Sequence, residues 1–383
     1  MVDVKAVLSE LRGIAENPYQ WLSEWKSKND KKVIGCLGLY APEELIHAAG
    51  CHPMVVREVA DEPITKADRV FQSFFCGFSR EVMDIALKGK LDCLDGLAVV
   101  DICTTFRGLI ETIPKHAPNI GWFHPLHFPI PLQGTRTWEW TIQELDGFKT
   151  SLEEFTNQPI TESELRKSIG LYNRFRSLLD DLYHLKRAQP WSISAADLQA
   201  VVISGMVRPK EEHCEVLELL LSELRNQPDP HQEHVRVLAA GMLCRSPGLP
   251  VMAFIENCGA LVVDDDFYTG SRYFMRHVGM DGDALEALAQ AHMRMTAPCP
   301  TKYDPDNDFG DYLITKFERS RAHGVITISL QNCEMYAINY PRMWEKLRAH
   351  NIPTLVIEIE PGMLETLLRT RVEAFVEVLK QEI

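Results

Sequence analysis

The chain has 383 residues, a formal net charge of −14, 45% hydrophobic residues and 25% charged residues. That length leaves room for more than one core, and the acidic balance, with no Lys/Arg cluster against it, excludes a nucleic-acid-binding surface. The longest apolar runs, such as LAVV and ALVV, are strand-sized, and MVDVKAVLSELRGIAENP reads as an amphipathic helix rather than a signal peptide, so the expectation is a cytoplasmic protein with no membrane span.

After the opening helices, KKVIGCLGLY predicts a strand and APEELIHAAG the helix behind it, with Pro42 in the first turn, Glu43 and Glu44 suiting the helix dipole, and Gly50 ending it. HPMVVRE predicts a second strand. A loop then leads to Cys76 and the helical spacing of GFSREVMDIALKG, followed by the strand LAVVD, a helix from TTFRGLIETI capped by Thr104 or Thr105, and the strand NIGWFHPL. Strand–helix alternation of this kind predicts a mostly parallel sheet covered on both faces.

From about Thr137 to Asn226 the pattern becomes helical. Leu165, Ile169, Tyr172, Phe175, Leu179 and Leu182 recur at helical spacing, Pro190 breaks the run, and Ser194–Met206 and Lys210–Arg225 follow as helices. HVRVLAAGM restarts the alternation, with strands at ALVVDDD, GVITISL and PTLVIEIE and helices at DYLITKFERSRAH, NYPRMWEKLRAHN and ETLLRTRVEAFVEVLK. The expected architecture is α/β: two Rossmann- or flavodoxin-like parallel-sheet domains, 1–136 and 231–383, joined by a helical bridge, 137–230.

Ten cysteines lie at 36, 51, 76, 93, 103, 214, 244, 258, 299 and 333. No CxxC pair occurs, so neither a zinc ribbon nor a ferredoxin-type run is present. Cys76 and Cys103 each stand where a helix begins, and Cys333 follows a strand. A helix N-terminus stabilises a thiolate and an anionic group bound to it. On spacing alone these three fit buried structural thiols as well as iron–sulfur ligands.

The motifs GCLGLYAPEELIHAAGCHP, SFFCGFSR, LDGLAVVDICTTFR, CGALVVDDDFYTGSRYF, GVITISLQNCEMYAINYP and IPTLVIEIE, in this order, resemble the family of 2-hydroxyacyl-CoA dehydratases and ATP-dependent benzoyl-CoA reductases over nearly the full length. LYHLKRAQPWSISAADLQAVVISGMVRPKEEH and TKYDPDNDFGDYLITKFERSRAHGVI look most like the shorter cluster-bearing subunit of benzoyl-CoA reductase. The resemblance implies that Cys76, Cys103 and Cys333 hold one 4Fe–4S cluster in the cleft between the domains, leaving one iron without a cysteine. It implies a homologous cluster-bearing partner subunit, an ATP-hydrolysing iron–sulfur activator that supplies low-potential electrons, and an acyl-CoA substrate reduced at its thioester to a ketyl-type radical. For the reductase, benzoyl-CoA becomes cyclohexa-1,5-diene-1-carbonyl-CoA; the alternatives are a 2-hydroxyacyl-CoA dehydratase subunit and a homodimeric double-cubane electron carrier. Many relatives carry Asp after the second and third cysteines, where this chain has Thr104 and Glu334. No glycine-rich phosphate loop of Walker type occurs, so ATP hydrolysis is not expected here.

Other residues draw plainer readings. Cys36, Cys258 and Cys299 are expected to be structural, although they could enlarge a cluster of the double-cubane kind, and Cys51, Cys93, Cys214 and Cys244 read as ordinary core or surface thiols. Asp264, Asp265 and Asp266 read as a solvated strand end and helix cap rather than a metal site. Arg107 and Arg272 are candidates for holding an anionic cluster or a CoA phosphate. Tyr40 is a weaker candidate facing the cluster, and His124 and His323 have no catalytic spacing.

Overall fold

A computed structural model describes residues 3–59, 62–228, 234–241, 244–359 and 366–381. The expected boundary at 230/231 lies outside the described residues.

Helix α1 (Val4–Glu16) begins at Asp3, whose carboxylate accepts from the amides of Lys5 and Ala6, and α2 (Pro18–Lys26) follows with Pro18 in its first turn. The first sheet is then built by β1 (Val33–Leu37), α3 (Glu43–Ala48), β2 (His52–Val55), α4 (Gly77–Leu87), β3 (Gly96–Val100), α5 (Thr104–His116) and β4 (Trp122–Leu126). Its order is β2-β1-β3-β4 with parallel pairing throughout, Ile34 opposite Gly96 and Gly96 opposite Trp122. β1, β2 and β3 are buried at every position, as continuous apolar runs must be when helices cover both faces.

Four helices come next: α6 (Thr135–Thr156), α7 (Glu162–Ala188), α8 (Ala195–Gly205) and α9 (Lys210–Leu224). Thr161 and Glu164 form a reciprocal capping box at the start of α7, and the helix stops two residues before Pro190. α7 touches both sheets' surroundings. Ser168 donates to the Glu44 carbonyl at 2.8 Å, Asn173 donates to the Val278 carbonyl at 2.7 Å, and the Tyr183 hydroxyl donates to Asp265.

The second sheet comprises β5 (Val235–Gly241), α10 (Leu249–Asn257), β6 (Ala260–Asp266), the short α11 (Ser271–Phe274), α12 (Ala284–Met293), α13 (Phe309–Ser320), β7 (Gly324–Leu330), α14 (Glu334–Ala349), β8 (Thr354–Ile359) and α15 (Thr366–Lys380). Its order, β6-β5-β7-β8, is again all parallel and repeats the connectivity of the first sheet. Both orders are flavodoxin-like, so the expected fold class holds. Two helices, α10 and α12, were not anticipated by the spacing. Both are apolar over much of their circumference, and a helix without a polar face shows no clear stripe.

One apolar cluster runs through both sheets, containing Leu97 and Val99 of β3 together with Val237 of β5 and Ile326 of β7. A smaller cluster, with Leu238, Val263, Leu313, Val325 and Leu347, fills the space between β5–β7 and α13–α14. Among the described residues no helix is long and apolar enough to cross a membrane.

Candidate functional site

In a parallel sheet, ligands gather beyond the carboxyl ends of the strands, at the point where the strand order reverses. That point lies between β1 and β3 in the first sheet and between β5 and β7 in the second. The segments leaving β3, β5 and β7 deliver Cys103, Cys244 and Cys333, and Cys76 arrives on the connection from β2 to β3. All four cysteines line one pocket of about 700 Å³ of empty space, its open mouth included. Its apolar walls are Leu39, Phe78, Ile102, Phe106 and Leu330.

Cys76, Cys103 and Cys333 are the N-cap residues of α4, α5 and α14. The expected cap by Thr104 or Thr105 is therefore displaced: Cys103 is the cap and Thr104 is the first helical residue. Thr105 turns instead to the sulfurs, with its hydroxyl 3.3 Å from Cys103 Sγ and 3.5 Å from Cys76 Sγ. Ser79 stands 3.3 Å from Cys76 Sγ and donates to Thr105 at 2.9 Å. Two hydroxyls thus tie two of the sulfurs into one small network.

Burial raises the Cys333 thiol to about 12, with the Cys76 and Cys103 sulfurs adding to the rise and the Tyr336 amide opposing it. Burial also raises Cys103, against the pull of Thr105, and burial with the neighbouring sulfurs raises Cys244 well above its ordinary value. Thiols held neutral this strongly ionise when a metal takes the proton's place. Among the described residues no three His, Cys, Asp or Glu side chains are close enough together for a single ion. Soft sulfur donors spread around one pocket, at three helix N-termini, fit a multi-iron group instead.

A second chamber of about 780 Å³ shares Leu39 with the first. Glu43 sits in it, 3.2 Å from Lys210 Nζ and accepting from the Tyr273 hydroxyl at 2.9 and 3.0 Å. Glu44 is paired with Arg176. Burial works against the Glu44 carboxylate, but Arg176 and Arg276 outweigh it and hold it below the usual range. These two glutamates therefore do more than serve the dipole of α3. Tyr172 and Arg176 had no sequence signal because their helical spacing is that of any packed face, and Tyr273 and Arg276 had none because they lie in and just after the four-residue α11.

Several expectations are corrected by the geometry. Asp264, Asp265 and Asp266 are 1%, 6% and 0% exposed, not a solvated strand end. Asp264 lies 3.0 Å from both Arg187 Nη1 and Lys316 Nζ, and Asp266 accepts from Arg272 at 2.8 Å and Tyr312 at 2.9 Å. Arg272 lines the second chamber, whereas Arg107 is 67% exposed and bonded to Asp101, away from the sulfurs. Tyr40 lines the second chamber beside His292, with a left-handed φ of 76°. Cys36 is buried inside β1, Cys258 ends α10 and Cys299 lines a separate cavity with Lys302; none of them lines the four-cysteine pocket. His124 packs on Trp122 and Phe148, and His323 accepts from the Arg236 amide. Cys51, Cys93 and Cys214 stay apart, but Cys244 is not an ordinary thiol: it joins the pocket.

The family model described as 2-hydroxyglutaryl-CoA dehydratase, D-component, matches residues 38–379. The chain is 28% identical to a benzoyl-CoA reductase subunit of Thauera aromatica over 336 residues, 86% of each chain. It is 27% identical to the (R)-phenyllactyl-CoA dehydratase beta subunit of Clostridium sporogenes over 373 residues, 97% of this chain and 98% of the relative. It is 28% identical to the (R)-2-hydroxyglutaryl-CoA dehydratase beta subunit of Acidaminococcus fermentans over 389 residues, 98% of this chain and 100% of the relative.

Proposed function

We propose, from the fact that this chain belongs to the family of the 2-hydroxyglutaryl-CoA dehydratase D-component, that it is the iron–sulfur subunit of an ATP-dependent benzoyl-CoA reductase. The observation that carries the reading is the convergence of Cys76, Cys103 and Cys333 on one pocket, each at the start of a helix. Bound there, a 4Fe–4S cluster would supply one-electron transfer at low potential.

The chain's own residues have definable parts in this. Cys76, Cys103 and Cys333 hold the iron as thiolates. The N-termini of α4, α5 and α14 set their partial positive charge against the anionic group. Ser79 and Thr105 bond to sulfur and so tune its basicity. Leu39, Phe78, Ile102, Phe106 and Leu330 keep water from the sulfurs, and low solvent access keeps a reduction potential low. In this scheme an ATP-hydrolysing iron–sulfur activator gives the electrons singly. A homologous partner subunit receives them, and benzoyl-CoA gains two electrons and two protons to become the cyclohexadiene product.

A 2-hydroxyacyl-CoA dehydratase subunit is the second reading, favoured by the dehydratase beta subunits matching 97% and 98% of this chain where the reductase subunit matches 86%. There the same residues would lend an electron that returns after water leaves. Expression with the partner subunit and activator, assayed on benzoyl-CoA and on 2-hydroxyacyl-CoAs, separates the two. Dienoyl-CoA formation with consumption of reductant supports the reductase. Enoyl-CoA formation without net reductant consumption replaces it by the dehydratase.

A further inference from the structure

We infer that Cys244 is a fourth cysteine ligand of the cluster, closing the iron that the other three leave open; this rests on the reading above and deepens it.

The pocket takes two cysteines from each side of the cleft: Cys76 and Cys103 from the connections of the first sheet, Cys244 and Cys333 from those of the second. Cys103 and Cys333 are equivalent by topology, each following the third strand of its sheet and capping the next helix. Cys244 follows β5, the strand whose counterpart in the first sheet is β1. It therefore stands beside Cys333 across the reversal of strand order, where a bound group is shared by both strand ends.

The strand end before Cys244 and the residues just after it are closely held. Gly241 ends β5 with φ 112°, and a Cβ there would stand 1.9 Å from the Ile328 carbonyl oxygen of β7, so only glycine fits at that strand end. Arg245 then donates to both carboxylate oxygens of Glu81, at 2.7 and 2.9 Å. Glu81 belongs to α4, the helix that Cys76 starts. The next residue, Ser246, donates its amide to Glu58 at 3.2 Å. These bonds tie the residues after Cys244 to α4 and to the stretch that follows β2, and Cys244 lines the same pocket as the other three.

The consequence concerns the division of labour. A cluster with a thiolate on every iron has no position for a thioester oxygen, so this chain would relay electrons and the partner subunit would hold the acyl-CoA.

The test uses the full chain, purified without oxygen, and mild oxidation by ferricyanide followed by electron paramagnetic resonance. A 4Fe–4S cluster with a non-cysteine iron loses that iron and yields a 3Fe–4S signal, restored by ferrous iron. The wild type is expected to give no such signal, and Cys244→Ala to give it with iron content otherwise near that of the wild type. A 3Fe–4S signal in the wild type, or equal resistance of Cys244→Ala, overturns the inference while leaving the reductase reading standing. The wild-type spectrum decides even if the variant does not fold, and a wild type without iron overturns both.

Discussion

Arg245 and Glu81 form a two-pronged ion pair, 2.7 and 2.9 Å, between the loop after β5 and the helix that Cys76 begins. Both are largely buried, with side chains 12% and 5% exposed. Removing the Glu81 carboxylate takes two charge-assisted hydrogen bonds away from Arg245, which costs roughly 1.5–3 kcal/mol. Glu81→Ala should lower the urea midpoint accordingly. Arg245→Lys should recover little, because a single ammonium cannot match two carboxylate oxygens; recovery to wild-type stability by lysine would show that charge alone matters.

Asp264 supports the second sheet in a similar way. It stands between Arg187 and Lys316, 3.0 Å from each, at 1% exposure. Asp264→Asn takes the nearest counter-charge from two cations, leaving Arg187 only the more distant Asp180 at 3.9 Å, and the chain should lose roughly 3 kcal/mol in denaturant unfolding. Asp264→Asn combined with Lys316→Met should cost less than the single change. Equal or greater loss in the double variant would contradict the pairing.

Gly241 is a backbone requirement. Alanine there meets the Ile328 carbonyl at 1.9 Å and must also hold a φ of 112°, so Gly241→Ala should break the β5–β7 pairing near the cysteine pocket. Where alanine fits, a Gly→Ala change stabilises by up to about 1 kcal/mol; here it should destabilise by more than that, and hydrogen exchange of the β5 and β7 amides should rise. Unchanged exchange would mean that the strands do not approach as described.

The acid limb of stability follows from buried histidines. Burial lowers His52 and His213 from 6.5 to about 3. Below about pH 6.5 the unfolded chain takes up protons at these sites that the fold refuses, so stability falls as pH drops from 6.5 towards 3. Asp265 has the opposite sign: burial and the charge of Asp264 raise it from 3.8 to about 6, so the fold binds a proton there that the unfolded chain binds only near pH 4. These three groups alone leave a net uptake of about one proton on unfolding near pH 5, or about 1.4 kcal/mol per pH unit, and His292, also held down by burial, acts in the same direction. Urea titrations at pH 7, 6 and 5 measure this. Stability that rises on acidification would reverse the assignment.

Much of this architecture was legible in advance, because strands covered on both faces are continuous apolar runs with Pro, Gly and charges between them. The positions of Cys76 and Cys103 could be read because each adjoins a recognisable helix start, and that of Cys333 because it follows the strand GVITISL; the helix expected after it began at Asn339, so its place as the cap of α14 was not legible. Cys244 could not: GMLCRSPG carries neither strand nor helix spacing beside the cysteine, and its relation to the others exists only once β5 and β7 are paired. The acidic run 264–266 was misread for the same reason. Its partners, Arg187, Arg272, Tyr312 and Lys316, come from three separate helices, and only the folded chain brings their charges to one strand end.

The most direct measurement is iron and acid-labile sulfide in the chain purified without oxygen, beside Cys103→Ser. About four irons per chain are expected, as for a single 4Fe–4S cluster, with a marked loss in Cys103→Ser while far-ultraviolet circular dichroism stays unchanged. A wild type without iron, or a Cys103→Ser variant that keeps its full iron content, would contradict the account.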